Sequence, residues 1–288
     1  MNSQTSLKSL TLNLTPTEMT NIKAYLPQQA PGVWIARGAT QLMMALGCGA
    51  LSPAQEETLA ALTENIKSML GSNKPSFRDS EGFGLWHYWA AGPYSADEKI
   101  WKALRKVIKS KQDNTLAHNG EHPLYRLLLK GDEKGAMLWA GAAHIPQDVQ
   151  KEGETLWHAV AWGGKNPEAF SETLSLDIIN IHDDEGLTPG MIAVHRGSRD
   201  VLRSWMFLGA DPNVQDEGGR TILHHAALYG DIAWFTELQD MGCCDTIKNG
   251  RGHTPRQVLQ EYMRQSNETD RQMMRDNWTR LYQKKLFF

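Results

Sequence analysis

Residues 183–216 read DDEGLTPGMIAVHRGSRDVLRSWMFLGADPNVQD, and residues 216–242 continue DEGGRTILHHAALYGDIAWFTELQDMG. Laying Gly186 over Gly219 brings the two stretches into register at a shift of 33 residues, and the same shift runs back to Gly153 and Gly120 and forward to Gly252. Two residues beyond each glycine stand His122, Thr155, Thr188, Thr221 and Thr254. Three beyond stand Pro123, Leu156, Pro189, Ile222 and Pro255, and eleven beyond stand Gly131, Gly164, Gly197, Gly230 and then Met263. A fixed period of this length describes a stack of like units in place of one folded-up core.

The residue types make physical sense at those spacings. A glycine opening each unit suits a turn that needs φ > 0, which a Cβ disfavours. The threonine that follows offers a hydroxyl to the free N–H groups of a helix's first turn, and proline after it occupies the one helical position where a missing N–H does no harm. Ala226 and Ala227 let neighbouring first helices approach, while Ile232, Phe235 and Leu238 give a second helix its apolar face. Such a unit buries that face only against its neighbours, so it occurs in stacks.

The combination resembles the ankyrin repeat. Thr188, Pro189, Ala193, Gly197, Gly209, Ala210, Asp211 and Asn213 match the pattern in one unit, and Gly219, Thr221, Leu223, His224, Ala226, Ala227 and Gly230 in the next. Gly82 with His87, and further back Gly38, Thr40, Ala45 and Gly49, extend it upstream across insertions. Departures fall at Gly190, Met191 and Ile192, at Arg256, and at Cys243, Cys244 and Asp245, where an irregular end of the stack is expected. The resemblance implies an all-α solenoid of about six to seven helix-turn-helix repeats with turn fingers, each supplying a helix pair. The expected organisation is an N-terminal cap or leader over 1–34, a degenerate first repeat with an insertion over 35–78, ankyrin repeats over 79–266, and a capping helix over 267–288 closed by Trp278, Leu281 and Tyr282.

Composition narrows the function. Hydrophobic residues make up 41% of the 288 and charged residues 22%, ample for packed cores. A formal net charge of −3 gives no general pull toward nucleic acid or anionic membranes, so neither is expected as a partner. The exception is Asp97–Lys111, DEKIWKALRKVIKSK, where Lys99, Lys102, Arg105, Lys106 and Lys109 alternate with Ile100, Trp101, Leu104, Val107 and Ile108. That pattern reads as a helix with a solvated face over a buried stripe. The apolar-leaning runs fall short of the ~18 residues of a membrane span, the N-terminal leucines alternate with polar residues, and three cysteines make no disulfide framework. A soluble, cytoplasmic protein is the expectation.

No catalytic, cofactor or metal site emerges. His-Glu-x-x-His, a phosphate-binding glycine loop and Gly-x-Ser-x-Gly are all missing from the sequence. His118 and His122 flank a turn without zinc-site companions. Asp183, Asp184 and Glu185 lack EF-hand spacing and read as a solvated turn. Cys243 and Cys244 read as packing residues, and His225, about 100° from His224 on a helix, faces the groove or an adjacent repeat. The resemblance implies that His158 and His224 hydrogen-bond within their own turns.

It also implies a non-enzymatic protein that binds another protein through the concave face of the stack, from turn positions and the ends of first helices. On this chain those positions include Lys151, Glu152, Asp184, Leu187, Glu217, Gly218, Arg251 and His253. The expected partner-binding set is Trp162, Glu185, His195, Arg196, Arg220, Leu228, Tyr229 and Tyr262. An inhibitor or neutralising partner, such as a bacterial immunity or adaptor protein, monomeric by itself, fits this reading. The alternative is a secreted host-targeting effector whose N-terminal segment carries an activity.

Overall fold

A computed structural model of the chain describes residues 39, 41–49, 51, 58–70, 77–108, 116–141, 145, 153–196, 199–264 and 269. The two terminal caps expected over 1–34 and 267–288 lie outside the described residues save Thr269, as do Gly38, Thr40, Lys109, Lys151, Glu152, Gly197, Trp278, Leu281 and Tyr282. The described residues form α-helices and 3-10 turns and no extended strand. The chain divides into two compact units, Met1–His144 and Ile145–Phe288, so the division falls inside the segment 79–266 read from sequence as one run.

In the first unit helices come in pairs: α1 (Gln41–Cys48) with α2 (Leu59–Leu70), α3 (Leu85–Ala91) with α4 (Glu98–Val107), and α5 (Pro123–Leu129) with α6 (Glu133–Ala140). The first helix of each pair packs on the first helix of the next, α1 on α3 and α3 on α5. In the second unit the stacked first helices are α7 (Leu156–Gly163), α8 (Pro189–His195), α10 (Ile222–Ala227) and α12 (Pro255–Arg264), with α9 (Arg199–Phe207) and α11 (Ile232–Asp240) as second helices behind α8 and α10. Within each unit the first helices thus stack in the all-α, ankyrin-like manner that the resemblance implies.

The unit that begins at Gly153 has no second α-helix. In its place stand two 3-10 turns, Pro167–Phe170 and Leu176–Ile178, capped by the side chains of Asn166 and Ser175. Short polar residues that bond their own backbone compete with helix propagation, and the caps here start two short turns where one helix was expected. Phe170, Leu174 and Ile179 still bury their side chains, and the Trp157 indole N–H ties the segment down by donating to the Ser175 carbonyl at 2.7 Å.

Helix starts follow the chemistry read from sequence. Thr155 and Thr221 cap α7 and α10 reciprocally with His158 and His224, and Pro123 and Pro189 sit in the first turns of α5 and α8. Gly82, Gly120, Gly153, Gly186, Gly219 and Gly252 all have φ between 70° and 82°. At Gly219 a second constraint adds to φ: a Cβ would stand 2.8 Å from the Gly250 nitrogen, whose N–H donates to the Gly218 carbonyl at 2.7 Å. Only a residue without a side chain lets consecutive turns approach that closely.

The finish around Cys243, expected to be irregular, is held like the one before it. Asn180 brackets the next loop by accepting from the Asp211 N–H at 2.8 Å and donating to the Gly209 carbonyl at 3.0 Å. Asn213, one period later, does the same to the Cys244 N–H at 2.7 Å and the Gly242 carbonyl at 3.1 Å. A side-chain amide on the preceding repeat therefore holds the loop, whatever residues stand in it. Cys243 is buried, which pushes its thiol up to about 12, as suits a packing residue.

Candidate partner-binding surface

The turns are built as rigid rungs. Asp183 accepts from the N–H groups of Glu185 and Leu187 at 2.9 Å, Asp216 from Arg220 at 2.8 Å, and Asn249 from Arg251 and His253 at 2.9 and 3.1 Å. These three side chains are buried and lie 33 residues apart. Asp183 thus departs from the solvated-turn reading: its carboxylate organises the loop from inside. The tips do face solvent, with Asp184, Glu217, Gly218, Gly250, Arg251 and His253 exposed and Glu185 half-buried.

Histidines bolt one rung to the next. The Nδ1 atoms of His158 and His224 accept from the backbone N–H of Thr155 and Thr221 at 3.0 and 3.1 Å, as the resemblance implied. That leaves the proton on Nε2, which donates onward to the carbonyls of Leu187 and His253, each at 3.0 Å. His87 repeats the device in the first unit, from Gly84 to the Glu121 carbonyl. Burial, the dominant influence, pushes His87 down to about 4.

Three of the eight expected contact residues are covered within their own unit. Trp162 is 3% exposed and its indole N–H donates to Glu154 at 2.9 Å. Leu228 is 2% exposed and Tyr262 4%. The Tyr262 ring lies where a Cβ on Gly230 would be, 2.6 Å from its edge carbon. For Tyr262 the physical reason shows in the 33-residue series Lys130, Gly163, Arg196, Tyr229, Tyr262: several of these reach backward to the preceding repeat. The Lys130 ammonium donates to the Gly92 and Ala90 carbonyls at the C-terminus of α3, at 2.7 and 3.3 Å. Arg196 remains exposed while its guanidinium lies over Gly164.

His195, Arg220 and Tyr229 come together in one network whose centre, Asp216 and His225, sequence reading did not single out as a site. Arg220 Nε donates to Asp216 Oδ2 at 2.6 Å, and His225 Nε2 donates to the same oxygen at 3.1 Å. His195 Nε2 then donates to His225 Nδ1 at 2.9 Å, and the Tyr229 hydroxyl meets His195 Nδ1 at 3.2 Å. Both imidazole donors point toward the carboxylate, while the Tyr229 hydroxyl also reaches the His195 backbone carbonyl at 3.3 Å. Burial would raise the pKa of Asp216, but His225 and Arg220 outweigh it and hold the group at about 2. Burial is the leading cause that lowers His225 and His195, the latter well below the ordinary histidine range. The imidazoles are neutral at pH 7, and the network links α8 and α10 to the turn between them. Its only sequence signal is the 33-residue register, which sets position 225 beside the repeat that carries His195.

Among the described residues no group of three His, Cys, Asp or Glu side chains is placed to hold a metal ion, and no helix is long and apolar enough to cross a membrane.

Comparison with known proteins agrees with this architecture. A family model described as ankyrin repeats (many copies) matches residues 191–233. Over 106 residues the chain is 33% identical to NF-kappa-B inhibitor delta of Mus musculus, a match covering 33% of this chain and 32% of that protein. The chain therefore spans about a third of the length of that curated relative. Among solved structures, the ankyrin repeat domain of Bcl-3, described as a unique member of the IkappaB protein family, matches with a TM-score of 0.56 at 19% identity. That match covers 77% of this chain and 97% of the Bcl-3 chain, and at such identity the likeness is one of fold.

Proposed function

Because this chain is an ankyrin-repeat protein, we propose that it works without chemistry of its own, as a module that holds a partner protein and inhibits or neutralises it. The observation that carries the reading is the row of exposed turn tips, Asp184, Glu217 and Arg251, mounted on turns fixed from inside by Asp183, Asp216 and Asn249. Binding at such a surface orders side chains on a backbone already in place, which keeps the entropic cost of association low. The name of the mouse relative, an inhibitor of another protein, supports the inhibitory half of the proposal. An immunity or adaptor role, action as a monomer, and a reducing, cytoplasmic setting in which Cys243 and Cys244 stay free thiols complete it.

Arg196 and the tips take over from Trp162, Leu228 and Tyr262 as contact residues in this proposal. With the partner identified by affinity capture of the full chain, Arg196→Ala together with Glu217→Lys should weaken binding by at least ~2 kcal/mol. Their exposure predicts an unchanged urea midpoint. A double variant that folds normally and binds with unaltered affinity would place the partner on another face and end this reading.

A further inference from the structure

Within the first unit, α2 packs against α4, and together these helices carry five cations, Lys67, Lys99, Lys102, Arg105 and Lys106, against two carboxylates, Glu64 and Glu98. The chain as a whole has a net charge of −3, so the excess here is a local feature. The stripe beneath is occupied: Ile100, Trp101, Ala103 and Leu104 of α4 are buried, and so are Leu62, Ile66 and Leu70 of α2. What remains outward is a groove lined by Ala60, Ala61, Thr63, Glu64 and Lys106, with a volume of about 410 Å³. Ala60 and Ala61 give it a low apolar wall, and Lys106 places an exposed ammonium at its rim. The opposite helix is held stiffly, since the Arg105 guanidinium lies 5.6 Å over the Trp101 ring and 6.0 Å over Trp86.

We propose that this groove is a second docking site, for an acidic peptide segment of a partner protein that sets a small apolar side chain against Ala60 and Ala61 and its carboxylates against Lys99 and Lys106. The two carboxylates decide between kinds of polyanion. Glu64 pairs with Lys67 at 2.6 Å and Glu98 with Lys102 at 2.5 Å, so negative charge is interspersed along the basic face. A continuous phosphate backbone or lipid surface meets those carboxylates at short range, whereas a peptide chooses where its acidic side chains fall. The alanine wall also gives a peptide side chain something to bury.

The test uses the full chain and a fluorescently labelled peptide of about 15 residues that combines glutamate and alanine at helical spacing. Anisotropy should show saturable binding that weakens about tenfold or more between about 50 and about 200 mM salt. Lys99→Glu with Lys106→Glu should cost at least tenfold in affinity, and Ala61→Trp, which fills the groove without touching its charge, should cost a similar factor. Ala61 and Lys106 are exposed and Lys99 is half-buried, and an unchanged helical circular dichroism spectrum checks that the fold survives. Arg196→Ala should leave peptide binding unaltered, which separates this site from the turn tips. Absence of saturable binding, equal affinity in the charge-reversed chain, indifference to Ala61→Trp, or tighter binding to duplex DNA or to vesicles of anionic lipid than to the peptide would each overturn the proposal.

Discussion

Around Trp139 in the first unit, four indoles fill the space between helices. Trp86 and Trp89 of α3, Trp101 of α4 and Trp139 of α6 pack with ring centroids between 4.8 and 6.1 Å apart. Around His225 in the second unit, a carboxylate, two imidazoles and a phenol are joined end to end. The indole cluster is dense but leaves the N–H groups of Trp86, Trp89 and Trp139 without an oxygen or nitrogen partner. The histidine network is directional, and a misplaced helix leaves a buried donor or acceptor unmade. Bulk contact tolerates small displacements and a hydrogen-bonded chain does not, so the same repeat plan has two kinds of interior with different specificity.

The largest expected effect tests the indole side. Trp139→Ala should destabilise by about 3–5 kcal/mol, because a fully buried ring leaves a cavity among three others. Urea unfolding measures it, and a loss below about 1 kcal/mol would mean that the cluster is not a core. Acid tests both interiors. Burial holds His87 at about 4 and His122 at about 3, and it lowers His195, His224 and His225 as well. The folded chain thus binds fewer protons than the unfolded one, so stability is full above about pH 6.5 and is lost as pH falls toward 3. His87 alone accounts for about 3 kcal/mol. Midpoints flat from pH 7 to 4 would show these imidazoles to be solvated. His87→Gln should flatten part of that slope.

Smaller effects sharpen the contrast. His225→Leu should cost about 1–3 kcal/mol by leaving the His195 Nε2 donor without its acceptor and removing one of the donors to Asp216, which keeps Arg220, with no matching loss from a similarly sized change at an exposed site. Gly219→Val should cost about 1–3 kcal/mol from φ alone, besides the clash with Gly250. An unchanged thermal midpoint would refute the rung geometry. Phe207 is 83% exposed at the end of α9, so Phe207→Ser should stay within about 0.5 kcal/mol of the parent.

The stack was legible because its signals are local. Gly219, Thr221 and His224 specify turn, cap and staple within six residues, and the 33-residue register multiplies that signal. The broken second helix after Gly153 was hidden, since Asn166 and Ser175 begin short turns that only the packed backbone reveals. Trp162 and Tyr262, expected at the contact surface, are buried for a related reason: an aromatic ring at the end of a first helix serves equally as a contact or as a brace. Which one it is depends on packing that the local pattern does not carry: Glu154 of the same repeat receives Trp162, and Gly230 of the preceding repeat receives Tyr262. Asp216 and His225 belong to no motif, and their meeting follows from the angle at which turn and helix join.

The imidazoles of His87, His158 and His224 have a further use as built-in reporters. Each holds one Nε2 proton in a buried bond to the carbonyl of the following turn, so each marks a single seam in the stack. Ring N–H signals protected from solvent exchange would therefore identify the seams one by one. As denaturant or a bound partner loosens or tightens the molecule, the order in which those protons exchange would read out where it parts first, without any label having to be introduced.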